Sequence, residues 1–150
     1  MNRLPFAAIE VLLIDGNTLL HRRSGEAGES ALRGLLPRLN AAIPATVNTI
    51  VMLDGHAAAG SGRAQLIRRG LEIRHSGSRS ADDALLDLVR DTPIGGRAMT
   101  TIVTDDRALT EKARHLGSHT LRLDWLEALL AMPSPSQGRG VSIGNRRTRR

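Results

Sequence analysis

Short apolar runs alternate with amphipathic stretches along most of this chain. The apolar runs predict strands at about residues 10–15, 49–54 and 100–104, because successive apolar residues suit a strand that is buried on both faces. A run of alternating apolar and polar residues at 71–75 predicts a more exposed strand, placed at an edge of the sheet. Residues 120–123 predict a short last strand.

Between these strands, apolar residues recur at helical spacing. A helix is predicted from about residue 29, and Pro37 is expected to kink or split it. Ser80 is a predicted N-cap for the next long helix, with an acidic residue three positions on. The remaining expectations are a short helix at 64–69, a helix at 106–116, a last helix capped by Asp124, and a loop at 21–28.

The alternation of strands and helices predicts an α/β protein, a three-layer α/β/α sandwich around a mainly parallel sheet of about five strands. The 33 residues between the first two strands leave room for a crossover helix, which parallel strands require. We expect one folded domain over residues 1–132. Residues 133–150 contain mostly Pro, Ser, Gly and Arg, so they are predicted to be a disordered, arginine-rich C-terminal tail.

Acidic residues follow the carboxyl ends of three predicted strands. Asp15, Asp54 and Asp106 lie there, while Asp82 and Asp83 begin a helix just beyond another strand. Each aspartate alone suits a helix cap or a turn. Together, acids at one edge of a sheet repel one another and raise their own pKa values unless a cation is present. Ligands with only oxygen donors suit Mg²⁺ or Mn²⁺, so the pattern predicts a site for one of these ions.

Composition narrows the classes of function. The chain has one Phe, one Trp and no Tyr, which argues against an RRM-like or OB-like protein that stacks bases on aromatic rings. It has no Cys, which excludes disulfides and fits a cytoplasmic protein. No apolar run is long enough for a membrane span, and the N-terminus does not resemble a signal peptide. The net charge of +6 comes mainly from five arginines in the tail, and arginine suits bidentate contacts to phosphate.

Other phosphoryl-transfer folds do not fit the motifs. Lys112 is the only lysine, so the chain has neither a P-loop lysine nor the lysine that a response-regulator receiver places at the end of a later strand. Strand one ends in Asp15-Gly16-Asn17 rather than in the D-x-D of haloacid-dehalogenase-type phosphatases. Metal-assisted phosphoryl chemistry, with attack by a water, therefore remains favoured.

Four stretches, in order, resemble the PIN-like nuclease superfamily, and most of all its NYN domain branch, which includes the YacP-like proteins. They are Leu12-Leu13-Ile14-Asp15-Gly16-Asn17, Val51-Met52-Leu53-Asp54-Gly55-His56, Ser80-Ala81-Asp82-Asp83 and Val103-Thr104-Asp105-Asp106-Arg107. The resemblance covers about residues 10–130. It implies a metal-dependent ribonuclease with strand order 3-2-1-4-5. One departure is Thr18, which stands where the NYN branch typically has asparagine.

Carried over by motif, the resemblance implies a set of site residues. The implied catalytic residues are Asp15, Asp54, Asp82 and Asp106, and Asp83 joins the same four as a metal ligand. Asn17, Thr104 and Asp105 are expected to line the pocket. The predicted RNA contacts are Arg107 and five arginines of the tail, namely Arg139, Arg146, Arg147, Arg149 and Arg150.

Three functions remain open at this point. The first is an Mg²⁺- or Mn²⁺-dependent endoribonuclease that acts on RNA. The second is a non-catalytic RNA-binding module with the same fold. The third is a toxin-type PIN nuclease with an antitoxin partner, and the sequence also leaves a homodimer open.

Overall fold

The computed structural model describes residues 6–25, 28–57 and 64–132. The predicted disordered tail lies outside these residues. The strands are β1 (Val11–Asp15), β2 (Asn48–Leu53), β3 (Ala64–Arg68), β4 (Leu71–His75), β5 (Thr100–Val103) and β6 (His119–Leu121). The helices are α1 (Gly16–Ser24), α2 (Glu29–Ala42), α3 (Ala81–Asp91), α4 (Ile94–Arg97), α5 (Arg107–His115) and α6 (Leu123–Ala131).

One six-stranded sheet runs through the described part of the chain, in the order β3-β4-β2-β1-β5-β6. All neighbouring strands are parallel except β3 and β4, which are antiparallel. This confirms the predicted α/β class. Without β3, the remaining five strands have the order 3-2-1-4-5 that the family resemblance implies, and β3 adds an antiparallel edge to them.

The helix predicted at residues 64–69 is wrong, because this segment forms β3. A two-residue loop containing Gly70, at φ +80°, turns the chain back into β4. Glycine at positive φ is typical of a tight β-hairpin, whereas the sequence pattern suggested that it ended a helix. The same hairpin removes residues 71–75 from the sheet edge, so that part of the prediction is wrong as well.

The central strand β1 is buried on both faces, as predicted. Leu12 and Ile14 pack into one core, which α1, α2 and α6 cover. Leu13 points to the opposite face and packs with side chains of α3 and α5. Two helical layers therefore enclose the sheet, and the three-layer sandwich is confirmed. The carboxyl ends of β1, β2, β4, β5 and β6 all open on the same edge, because these strands are parallel.

Three further expectations about helices differ from the structure. Residues 21–24 are not a loop, because α1 starts immediately after β1 and buries Leu19 and Leu20. Helix α2 is not split at Pro37, which lies inside it between Leu35 and Leu39, two residues buried in the core. Helix α6 begins at Leu123 rather than after a cap at Asp124. Its first amide instead finds its acceptor on another element, described below.

Candidate active site

The sheet edge brings together the acids at the ends of β1 and β2 and at the starts of α3 and α5. The pKa of Asp82, near the start of α3, shows most clearly that these acids are close together. Burial raises the pKa of Asp82 above its usual value, and negative charges nearby raise it further. The charges responsible belong to Asp15, Asp106, Asp54 and Asp83. The five acids predicted for the metal site therefore lie close enough at this edge for Asp82 to interact with the charges of the other four.

Asp15 is the deepest of these acids, with 5% of its surface exposed. Its Oδ2 accepts hydrogen bonds from the hydroxyls of Thr18 and Thr104, each at 3.0 Å. Burial raises the pKa of Asp15, while these two hydrogen bonds lower it without cancelling the shift. Thr18 was not among the predicted site residues. Its position three residues after Asp15, on the first turn of a helix, is the signal that could have identified it.

Gly16 makes the abrupt turn from β1 into α1 sterically feasible. A Cβ at this position would lie 2.7 Å from the carbonyl oxygen of Met52 and 2.8 Å from side-chain carbons of Val51 and Leu53. Because α1 starts this close to β2, the next side chain reaches across the strand ends. Asn17 Oδ1 accepts a hydrogen bond from the backbone N–H of Asp54 at 2.6 Å.

Asp54 fastens the start of α3 to the end of β2. Its Oδ1 accepts a hydrogen bond from the N–H of Ala81, the first residue of α3, at 2.8 Å. Ser76, at the end of β4, extends this arrangement, because its Oγ accepts from Gly55 N–H at 3.0 Å and lies 3.5 Å from Asp54 Oδ1. The motif comparison missed Ser76, although it follows a strand that ends at the same edge as the acids.

The start of α3 presents two carboxylates with different surroundings. Ser80 caps the helix as predicted, because its Oγ accepts from Asp83 N–H at 3.1 Å. The Asp83 side chain is exposed. The Asp82 side chain is half-buried and has no hydrogen-bond partner among the described residues. A partly desolvated carboxylate surrounded by other acids and lacking a donor is suited to bind a cation.

Asp106 uses one carboxylate oxygen to cap a helix and leaves the other available for a ligand. Its Oδ1 caps α5 by accepting from Leu109 N–H at 2.9 Å. Its own N–H donates to Thr104 Oγ1 at 3.1 Å, and that hydroxyl donates to Asp15. Thr104 therefore ties the two acids together through one buried side chain. Oδ2 of Asp106 has no hydrogen-bond partner among the residues that the structure describes.

Asp105, predicted to line the pocket, is bound by groups outside the acid cluster. Its Oδ1 accepts from Leu123 N–H at 2.9 Å, which supplies the missing cap of α6. Its Oδ2 accepts from Arg22 at 3.0 Å, and Arg22 also bonds Asp124 at 2.7 Å. Asp105 therefore connects α1, α5 and α6, which is the tertiary contact that sets where α6 begins.

We expect Asp105→Ala to lower the free energy of unfolding by about 1–2 kcal/mol, because it removes a helix cap and a partly exposed ion pair. Chemical denaturation measures this change. Asp83→Ala is the matched control, because that exposed side chain has no partner in the described structure, and its effect should stay within about 0.5 kcal/mol. Equal denaturation midpoints for the two variants would contradict the role assigned to Asp105.

Comparison with known proteins identifies the fold. No known family matches this sequence, and neither does any curated protein. Solved structures with a similar fold include two of one protein. The crystal structure of Rae1 (YacP) from Bacillus subtilis has a TM-score of 0.65 and 17% identity, covering 91% of this chain and 79% of the other. Its W164L mutant has a TM-score of 0.58 and 16% identity, covering 81% and 77%. The chain therefore shares the fold of YacP, the protein type that the motifs resemble.

The acid cluster is compatible with a divalent ion that keeps much of its water shell. Within the described ranges, no three His, Asp or Glu side chains are close enough to form a complete ligand group. Mg²⁺ commonly needs only one or two carboxylates and completes its shell with water and substrate oxygens. Asp82 without a donor and Asp15 with a raised pKa fit such a site, because every available ligand atom is oxygen.

Of the predicted RNA contacts, only Arg107 lies within the described residues. Arg107, the first residue of α5, is exposed beside Asp106, as a contact to RNA requires. The other predicted RNA contacts, Arg139, Arg146, Arg147, Arg149 and Arg150, lie outside the described residues.

No helix in the part of the chain that the structure describes is both long and apolar enough to span a membrane.

Proposed function

We propose that this protein is a divalent-metal-dependent endoribonuclease, which hydrolyses RNA phosphodiester bonds at the edge of the sheet. The observation that carries this proposal is Asp82, a half-buried carboxylate without a donor whose pKa is raised by burial and by four other acids. A fold shared with YacP, together with motifs that resemble PIN-like nucleases, supports the same reading. Acid crowding costs stability, and such a cost is typical of a functional site.

Each acid has its own part in this proposal. Asp15 and Asp82 would hold Mg²⁺ or Mn²⁺, and Asp106 Oδ2 and the exposed Asp83 would contribute through water or directly. When bound, the ion supplies Lewis acidity to the scissile phosphate and lowers the pKa of an attacking water. Asp54 acts as a positioning residue, because its Oδ1 is already committed to the start of α3.

Thr18 and Thr104 favour the charged form of Asp15, the most buried acid, which is the form that binds a metal ion. Burial favours the protonated form of Asp15, but the hydroxyls of Thr18 and Thr104 donate to the carboxylate and favour its charged form. They also hold its orientation. Because Thr104 also accepts from Asp106 N–H, one hydroxyl group links the two acids. The protein thereby prepares a negative pocket before either RNA or metal arrives.

Incubation of the full chain with single-stranded and structured RNA tests the function. We expect internal cleavage with Mn²⁺ or Mg²⁺ and none with EDTA. The incomplete ligand group in the described structure favours one second candidate, a non-catalytic RNA-binding module of the same fold. RNA binding without cleavage under every metal condition would support that candidate and overturn the nuclease.

Metal binding should also be visible without any RNA. We expect millimolar Mn²⁺ to raise the melting temperature by about 3 °C, because an ion at ten times its Kd stabilises the native state by about 1.4 kcal/mol. Differential scanning calorimetry measures the shift. A monovalent salt at the same ionic strength is the control and should raise the melting temperature less. Identical shifts for the two salts would contradict an assembled metal site.

A further inference from the structure

A basic cavity of about 380 Å³ lies next to the acid cluster, between α5 and the end of β6. Three arginines and three threonines contribute to its wall, and these are Arg107, Arg114, Arg122, Thr104, Thr110 and Thr120. Leu121 and one acid, Asp105, also line it, but both oxygens of Asp105 already accept hydrogen bonds, from Leu123 N–H and from Arg22. Guanidinium groups and hydroxyls are donors toward oxyanions, and arginine matches the geometry of a phosphate in particular. The wall therefore has the chemistry of an anion site.

The positive charge of this cavity is largely unneutralised. Arg107 and Arg114 form no ion pair with any described residue. Arg122 has a 3.8 Å contact with Asp105, whose other oxygen is already bound by Arg22 at 3.0 Å, and a weaker charge interaction with Asp124, which Arg22 also binds. Exposed arginines without acidic partners beside a cavity can bind an anion without first breaking an internal ion pair.

A second cavity, between β4 and α3, shows the opposite arrangement. It contains Arg74 and Arg79, but Arg74 pairs with Glu72 and Arg79 pairs with Asp87. An anion there would have to displace a carboxylate from each arginine. The difference in pairing favours the cavity on the β6 side for a negatively charged ligand.

The position of the basic cavity relates it to the acids. Thr104 lines the cavity and also donates to Asp15, and Arg107 directly follows Asp106 in the chain. A cluster of five acids repels RNA, so the attraction that holds the strand must come from cations nearby. Arg107 and Arg114 are cations without an ion-pair partner in the described structure, and they line the cavity that Thr104 connects to Asp15.

We propose that this cavity is a subsite for a backbone phosphate of the RNA, one that flanks the phosphodiester at the acids. The subsite rests on the proposed function for its substrate class. It places the bound strand across the ends of β5 and β6, so that one neighbouring phosphate is neutralised by arginine while the acids and their ion act on the next. Affinity and alignment then come from Arg107, Arg114 and Arg122.

Binding of RNA in EDTA tests the subsite separately from catalysis. The variant Arg107→Gln/Arg114→Gln is compared with Arg33→Gln/Arg90→Gln, which removes the same charge from arginines paired within their own helices. Fluorescence anisotropy with a labelled single-stranded RNA should show roughly tenfold weaker binding for the first variant and less than twofold for the control. The slope of log affinity against log salt should become shallower by about 0.7 for each phosphate that the variant no longer neutralises.

Neutral methylphosphonate linkages identify the phosphate involved. In the wild-type protein, replacing one particular phosphate should weaken binding, and in Arg107→Gln/Arg114→Gln the same replacement should have no further effect, as expected for two partners of one interaction. Additive decreases in affinity at every position would overturn the subsite. So would a response of the arginine side-chain NMR signals to inorganic phosphate but not to RNA, since that result indicates a small phosphorylated ligand.

The two proposals fail in different ways. If wild-type protein never cleaves RNA but the arginine variant binds it roughly tenfold more weakly than the control, the nuclease proposal fails and the phosphate subsite stands. If wild-type protein cleaves RNA and the arginine variant binds as tightly as Arg33→Gln/Arg90→Gln, the subsite alone is overturned.

Discussion

Asp82→Asn should reduce RNA cleavage at least about 10²-fold while leaving the fold intact. The substitution keeps the size of the side chain but removes the charge that would hold the ion, and metal activation contributes several kcal/mol to such reactions. RNA binding should persist, because it depends on arginine. Single-turnover cleavage assays with Mn²⁺ measure the effect.

The same substitution should stabilise the metal-free protein at neutral pH. Burial and neighbouring acids raise the pKa of Asp82 in the folded state, so the native state holds its proton more strongly than the unfolded chain. Stability therefore falls as the pH rises from about 4, the unfolded pKa, through the folded pKa, and the penalty is complete above it. Asp82→Asn removes this penalty, so we expect a higher melting temperature than that of the wild-type protein at neutral pH, a difference that disappears below about pH 4.

Asp87→Asn is the matched control for Asp82. It lies on the same helix, but its carboxylate pairs with Arg79 and Arg90 on the surface. This variant should cleave RNA at the wild-type rate. Asp106→Asn should lose RNA cleavage as Asp82→Asn does, since asparagine preserves the cap to Leu109 but removes the charge that would hold the ion. Wild-type cleavage by the Asp82 variant would remove the main support for the active site.

Gly16→Ala should lower the free energy of unfolding by about 3 kcal/mol and the melting temperature by roughly 10 °C. The added methyl group would lie 2.7 Å from a backbone oxygen of β2, at a buried position with no flexible neighbour that can move aside cheaply. Relief requires α1 to shift away from β2, and this shift would also pull Asn17 from Asp54. Thermal and chemical denaturation measure the decrease in stability.

Gly34→Ala is the control for this prediction. Gly34 lies inside α2, and a Cβ there would meet no atom within 4 Å. Alanine should therefore stabilise the protein by up to about 1 kcal/mol, because it is the better helix former. A Gly16→Ala protein as stable as wild type would show that α1 does not need its close approach to β2.

Much of the fold was predictable because the core strands are runs of successive apolar residues, which can be recognised without knowledge of their partners. Strand β1 is apolar at four successive positions, and a strand of this kind is stable only when both faces are covered, which forces a layered α/β architecture. The Ser80 cap and the amphipathic helix behind it were equally local features. The position of β3 was not, because its residues favour no single structure and pairing with β4 decides it.

The roles of two adjacent acids, Asp105 and Asp106, could not be predicted from local sequence patterns. Asp105 and Asp106 are adjacent in the sequence, and both look like helix caps. Asp106 caps its own helix, whereas Asp105 caps α6 from eighteen residues away and binds Arg22. Sequence spacing could not separate them, since the partner of Asp105 comes from a different element.

The sequence by itself determined which residue types lie at the carboxyl edge of the sheet, because parallel strands that end in aspartate must present their acids on one side. Only the tertiary structure decided what each acid does there. It leaves Asp82 without a donor among the described residues, commits one oxygen of Asp54 to α3, and joins Asp15 to Asp106 through Thr104. The physical reason is that hydrogen bonds act over about 3 Å, and folding alone brings residues so far apart in the chain within that distance.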